Sequence, residues 1–289
     1  MQKLLIIADR KGSGCATPRG LQLAHKLGIQ ADVVAFTYAP MKQLKMKANQ
    51  KADVRKRLLA EREAVVQERI DRHKRDNQKV KLHVVWEKDI ASWINKQCAR
   101  GSYDGVLKTG QRTETIAHAS TDWQLLRECQ APVLIIAEKK WHHTKPVLAA
   151  LDLATTVPTK KKLNDDILTK SIGLAEALGV ELEIICAISI PTLLSDLDLI
   201  DESTYVKDAR ENMKPAIKAL ARAHNLPESA FKTKKGPVDR VISSCAAKVR
   251  AQIVVLGTVG RKGVKAKLMG NTAEEVLRHL KTDILALKP

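Results

Sequence analysis

The chain has 289 residues, 44% of them apolar, with 50 Lys and Arg against 32 Asp and Glu, a formal net charge of +18. That length holds two domains of ordinary size, each with its own core. No apolar run approaches the ~18 residues a membrane span needs, which excludes an integral membrane helix.

The start, MQKLLIIADRKGSG, lacks the apolar stretch and small-residue cleavage site of a signal peptide. Five dispersed cysteines, Cys15, Cys98, Cys129, Cys186 and Cys245, form no CxxC pair and suit free thiols in a reducing cytoplasm, the expected location.

Leu4 to Ala8 reads as an apolar strand ending in Asp9. The turn Lys11-Gly12-Ser13-Gly14 leads into a helix through Leu21, Leu23, Ala24 and Leu27, closed by Gly28. Val33 to Phe36 is a second strand, ending at Pro40. From Met41 to Lys81 there are 14 Lys/Arg and 6 Asp/Glu, a net of +8. Leu58, Leu59, Val65, Val66 and Ile70 recur there at roughly helical spacing, so the stretch predicts a long amphipathic helix. Its acids are interleaved with its bases, the pattern of a solvated helix face. Aromatic residues are scarce and none interleave with this run, so no nucleic-acid stacking platform is expected. Lys81 to Trp86 is a third strand, Ile90 to Cys98 a helix, Gly105 to Leu107 a fourth strand, Thr121 to Arg127 a helix and Pro132 to Ala137 a fifth strand.

The second half starts over. Val147 to Leu151 is apolar and ends in Asp152, as the first strand ends in Asp9. Leu174, Ala175, Leu178, Gly179 and Pro191 repeat Leu23, Ala24, Leu27, Gly28 and Pro40 at a constant offset of 151. The same offset lays Thr272, Leu277 and Arg278 on Thr121, Leu126 and Arg127. A period this long means two copies of one domain rather than a solenoid. The expected domains are 1–140 and 144–289, joined by the charged, proline-ended linker of Glu138 to Pro146. Alternating strands and helices predict two Rossmann-like, doubly wound α/β domains, each with a mostly parallel five-stranded sheet flanked by helices. Ligands in such folds sit beyond the carboxyl ends of the strands, where Asp152, Ala187 and Gly257 converge.

Residues Ile253 to Leu280 read strand, glycine loop, helix. The apolar run Ile253–Leu256 stops at Gly257, a basic loop carries Gly260, Gly263 and Gly270, and Asn271 and Thr272 are helix N-cap types. That arrangement aims backbone N–H groups and a helix dipole at one spot, which favours a phosphate. Glycine is needed where a Cβ would block close approach.

The spacing G-x2-G-x9-G over Gly257, Gly260 and Gly270, followed by Asn-Thr, resembles the nucleotide-binding signature of universal stress protein domains. The whole chain resembles a tandem member of that family, with TDWQLLR (Thr121 to Arg127) the stretch most specific to one two-domain subtype. The resemblance implies that Asp152 and Ala187 hold an adenosine, and that Gly257, Gly260, Gly270, Asn271 and Thr272 hold its phosphates with added charge from Arg261. It implies ATP or a related adenine nucleotide as ligand, with Mg2+ as the accompanying ion. It also implies that the two domains pair within the chain as single-domain relatives pair in dimers, with a homodimer as a further assembly. The first copy departs: Lys108, Gln111 and Ala119 replace the three glycines, so that copy is expected to be structural or to bind something else.

No Walker P-loop, no HExxH and no assignable Ser/His/Asp set is present, and the adjacent pair His142-His143 is a poor chelate. The expected function is a non-catalytic stress-response factor binding a small molecule, with weak ATP hydrolysis at most and with neither membrane nor nucleic acid as partner. Two alternatives stand beside it. One is a drifted site holding another phosphorylated or acyl-bearing metabolite between the domains. The other is a nucleic-acid-binding protein driven by the basic face.

Overall fold

Short β-branched runs alternating with amphipathic stretches build the same α/β pattern in each half. A computed structural model of the chain describes residues 3–10, 14–41, 45–101, 103–110, 120–137, 144–191, 200–258, 276 and 282–289. The chain divides into two units, Met1–Glu138 and Lys139–Pro289.

The first unit runs β1 (Lys3–Ile7), α1 (Ala16–Lys26), β2 (Gln30–Thr37), α2 (Ala48–His73), β3 (Val80–Trp86), α3 (Ile90–Cys98), β4 (Gly105–Thr109), α4 (Thr121–Glu128) and β5 (Val133–Ile136). Its strands lie in the order β3-β2-β1-β4-β5 with every pairing parallel. The second unit runs β6 (Val147–Leu151), α5 (Pro158–Leu178), β7 (Leu182–Ile188), α6 (Glu202–Ala223), β8 (Phe231–Lys235), α7 (Val238–Val249), β9 (Ile253–Gly257) and β10 (Asp283–Leu287). Its order is β10-β9-β6-β7-β8, again all parallel. The two orders are the same topology, so the duplication read from the 151-residue offset is a duplication of fold.

Central strands are buried on both faces, which is why β6 and β9 read as unbroken apolar runs rather than alternating ones. The edge strand β8 carries Lys232, Lys234 and Lys235, and exposed lysines keep an edge from pairing with another chain. Where the direction of strand order reverses, between β1 and β4 and between β6 and β9, the connections leave in opposite directions and open a crevice at the carboxyl edge.

The basic stretch 41–81 forms a shorter helix than the composition predicts. Backbone at Lys47 and Lys74 is extended, so α2 spans Ala48–His73 only. Asn77 takes a positive φ of 61°, which turns the chain into β3. Val66 and Ile70 are buried, whereas Val65 is 50% exposed. One residue is ~100° around a helix, so Val65 and Val66 cannot share a face, and only Val66 reaches the core.

Helix α6 is capped by Asp201, whose carboxylate accepts from the Thr204 N–H at 2.7 Å and the Ser203 hydroxyl at 2.6 Å. The Ser203 and Thr204 hydrogen bonds hold the Asp201 pKa down at about 2. Because the folded value is depressed, this cap's contribution is complete above the unfolded aspartate range and is lost as pH falls through about 2. A carboxyl-carbon NMR titration is expected to show Asp201 still ionised at pH 3, with Ser203→Ala moving its midpoint upward.

Candidate functional site

In the second unit, strand order reverses between β6 and β9. Asp152 follows β6, Gly257 ends β9, and Ala187 lies near the end of the neighbouring β7. All three line one cavity of about 320 Å3. That volume is at the lower end of small-molecule pockets. The walls are mainly aliphatic, with Leu163, Ile167, Ile185 and Ile242 among them, and Val276 contributes from beyond β9.

The polar groups cluster at Asp152. Its carboxylate lies 3.4 Å from the Lys160 ammonium, and both are partly open to solvent. Asn164, 5% exposed, grips the Asp152 backbone from two sides. The Asp152 N–H donates to Asn164 Oδ1 at 3.0 Å, and Asn164 Nδ2 donates to the Asp152 carbonyl at 2.7 Å. Lys160, Leu163, Asn164 and Ile167 lie at i, i+3, i+4 and i+7, so one face of α5 supplies one whole wall.

Sequence reasoning picked out Asp152, Ala187 and Gly257 and missed Lys160 and Asn164. The available signal was Asn164 itself, a lone amide set in the apolar stripe Leu163, Ile167, Leu168.

Gly257 has a further reason to be glycine. A Cβ there would sit 2.5 Å from Leu163 Cδ2 and 3.3 Å from Ile167 Cδ1. Its missing side chain lets α5 close down on the end of β9, and the cavity owes its narrow aliphatic shape to that approach. Beneath the floor, Cys186 is buried against Met213 with Sγ to Sδ at 3.8 Å. Burial pushes its thiol up to about 11, so it is packed rather than nucleophilic. The remaining sequence-predicted site residues, Gly260, Arg261, Gly270, Asn271 and Thr272, lie outside the described residues, as does His142-His143.

The first unit closes the equivalent crevice. At offset 151, Phe36 stands where the second unit has Ala187, and it packs edge-on to Trp93 with ring centroids 5.4 Å apart. The Asp9 carboxylate is used internally, accepting from the Ala16 N–H at 3.0 Å to cap α1, and Gly14 packs so closely on it that no Cβ would fit. Lys108 does not take the place of Gly257 as its sequence position suggests: the strand register sets Thr109 there and Lys108 at the position of Leu256, where it forms an ion pair with Asp122 at 2.7 Å. The structural cause is length. Asp9 and Asp152 are 143 residues apart, whereas the helices that follow are offset by 151. The second unit therefore has eight additional residues in this connection, and α5 uses them to start further forward, placing Leu163 and Asn164 beside the strand ends.

Among the described residues no group of three His, Cys, Asp or Glu side chains is placed to hold a metal, and no helix is long and apolar enough to cross a membrane.

A family model described as universal stress protein family matches residues 145–288, a span that includes every residue lining the cavity. The chain belongs to the universal stress protein family. It is 29% identical to Universal stress protein E of Salmonella typhi and to that of Escherichia coli (strain K12), in each case over 297 residues, covering 100% of this chain and 94% of the relative. Among solved structures it is similar to a functionally unknown protein from Pseudomonas aeruginosa PAO1, with a TM-score of 0.70 and 22% identity over 100% of this chain and 92% of that one. It is also similar to a universal stress protein from Archaeoglobus fulgidus DSM 4304, with a TM-score of 0.67 and 16% identity over 99% of this chain and 98% of that one. These structural likenesses are likenesses of fold.

Proposed function

We propose that this universal stress protein is a cytoplasmic stress-response factor that binds an adenine nucleotide in its second domain rather than turning one over. The observation that carries the reading is the convergence of Asp152, Ala187 and Gly257 on one cavity at the strand-order switch. The base and ribose would lie against the aliphatic walls with Asp152 at the polar edge. The phosphates, with Mg2+ as counter-ion, would extend toward Gly260, Arg261, Gly270, Asn271 and Thr272, whose order in the chain matches the family signature. Occupancy would favour one state of that loop, which is how a binder without turnover acts as a switch.

The lining also favours a second reading. Branched aliphatic side chains dominate the walls, which suits an acyl-bearing metabolite as well as a base.

Calorimetric titration with ATP separates the two. One site per chain is expected, weakened at least about tenfold, or ~1.4 kcal/mol, by Ala187→Phe and by Gly270→Val. Ala187→Phe copies the side chain with which the first unit fills the same position. If ATP gives no heat with the folded protein, adenylate binding is refuted. Mass spectrometry would then be expected to find a co-purifying metabolite in the wild type and not in Ala187→Phe.

A further inference from the structure

The first unit carries a second, separate cavity, displaced from the strand-order switch toward β2 and β3. It encloses about 790 Å3 beyond the ends of β1, β2 and β3 and is lined by Arg10, Phe36, Tyr38, Arg62, Glu87 and Lys88, among others. No residue of β4 borders it, whereas β9, the counterpart of β4, supplies Leu256 and Gly257 to the second unit's cavity.

Three cations meet one carboxylate in this lining. Arg62 comes from α2 and donates to the carbonyls of Ala8 at 3.2 Å, Asp9 at 2.7 Å and Arg10 at 3.3 Å. Its guanidinium is thereby pinned against the loop after β1, while its Nε is buried without a hydrogen-bond partner. Burial lowers the Arg62 pKa, the nearby Asp9 opposes that, and Arg10 lowers it further. The two guanidiniums thus repel each other. Among the described residues, no carboxylate forms an ion pair with Arg10, Arg62 or Lys88. The facing acids are already engaged. Glu87 Oε1 accepts from the Lys88 N–H at 2.8 Å and the Asp89 N–H at 2.9 Å, and Asp9 caps α1.

Beside these cations stands an unusual surface aromatic. Tyr38 is 47% exposed. Its ring lies 5.7 Å from Trp86 at a 51° tilt, and the Arg55 guanidinium covers Trp86 at 5.4 Å. Tyr38 is therefore backed on one side by an ordered aromatic–cation stack and open on the other. An exposed ring held rigid is a stacking platform, because little side-chain entropy remains to be lost when a second ring lies on it.

We propose that this cavity is a binding site for a small organic anion bearing an aromatic ring, the ring on Tyr38 and the anionic group between Arg10, Arg62 and Lys88. An anion there would relieve the Arg10–Arg62 repulsion. The ring requirement follows from the exposed Tyr38 ring, with Phe36 beside it, in the same lining as the cations. This site stands independently of the nucleotide reading, since none of its residues borders the second unit's cavity.

The test uses the full chain carrying Ala187→Phe, so that the second unit's cavity is closed, titrated with phenyl phosphate and with inorganic phosphate. Phenyl phosphate is expected to saturate one site and inorganic phosphate to bind about tenfold more weakly. Tyr38→Ala should weaken phenyl phosphate about tenfold and inorganic phosphate less than about twofold, as loss of a stacking contact predicts. Arg10→Glu should weaken both by at least about tenfold. Tyr38 and Arg10 are exposed, so neither change threatens the fold. Equal affinity for the two probes, indifference to both variants, or no saturable binding would each overturn the proposal. So would displacement of phenyl phosphate by a single-stranded oligonucleotide at lower concentration, which would reassign the patch to nucleic acid.

Discussion

Replacing Lys108 with methionine is expected to destabilise the first unit by about 3 kcal/mol, the lower end of the range for removing one partner of a buried ion pair. Lys108 and Asp122 have side chains only 13% and 10% exposed, with nitrogen and oxygen 2.7 Å apart. The ammonium also donates to the Thr109 carbonyl at 2.8 Å. Methionine keeps the stem and its packing but removes the charge, leaving the Asp122 carboxylate poorly solvated in the first turn of α4. Adding Asp122→Leu to the same chain removes the carboxylate that Lys108 neutralised and should recover most of the loss. Denaturant-dependent hydrogen exchange of β1 and β4 amides resolves this unit from the other. A loss below about 1 kcal/mol for the single variant, or no recovery in the double one, would show that the pair is not structural.

That pair bears on how the duplicated domains diverged. The first unit has Lys108 where the second has Leu256, and Phe36 where the second has Ala187. Each substitution adds bulk or charge beside the strand-order switch. These substitutions, together with the eight additional residues ahead of α5, separate a domain with a cavity at its switch from one whose switch is packed, while the sheet order stays the same in both.

The fold was legible in the sequence because parallel strands buried on both faces read as unbroken aliphatic runs. Val147–Leu151, Gly28 and Gly179 also repeat as punctuation, and both glycines take the positive φ that a left-handed helix end requires. The core of the site was legible for a different reason. Asp152, Ala187 and Gly257 are strand-end residues, and topology alone brings strand ends together. Lys160 and Asn164 were not legible because they act from a helix whose forward start depends on an eight-residue difference between the halves. That difference shows only when the offsets of strand and helix are compared. The cavity beside Tyr38 was hidden for a related reason. Arg10, Tyr38, Arg62 and Lys88 are far apart in the chain, and Arg62 sits in a basic run whose bulk charge reads as a solvated face. Nothing in that run marks the one arginine that turns inward onto three carbonyls.

Asn164→Leu is expected to have the largest combined effect on the second unit's site. Leucine keeps the branched shape of asparagine and suits the surrounding Leu163, Ile167 and Leu168, although its two methyl groups are bulkier than the amide they replace. What is lost is the pair of hydrogen bonds to the Asp152 N–H and carbonyl. Each unsatisfied backbone group costs about 1–3 kcal/mol when buried, and these two are only part-buried, so a loss of about 2 kcal/mol is expected. The functional effect should exceed the structural one. Asp152 has a half-exposed carboxylate whose other contact is the Lys160 ammonium, so Asn164 is what holds the β6 end in register with the cavity. Releasing it should weaken ligand binding at least about tenfold, because ordering the loop must then be repeated at each binding event. Asn164→Asp retains the acceptor for the Asp152 N–H but sets a carboxylate against the Asp152 carbonyl, so it should bind better than Asn164→Leu and worse than the wild type. Thermal melts and ATP titrations of the three proteins, read together, decide the point. A destabilised Asn164→Leu that binds like the wild type would mean that Asp152 does not position the ligand.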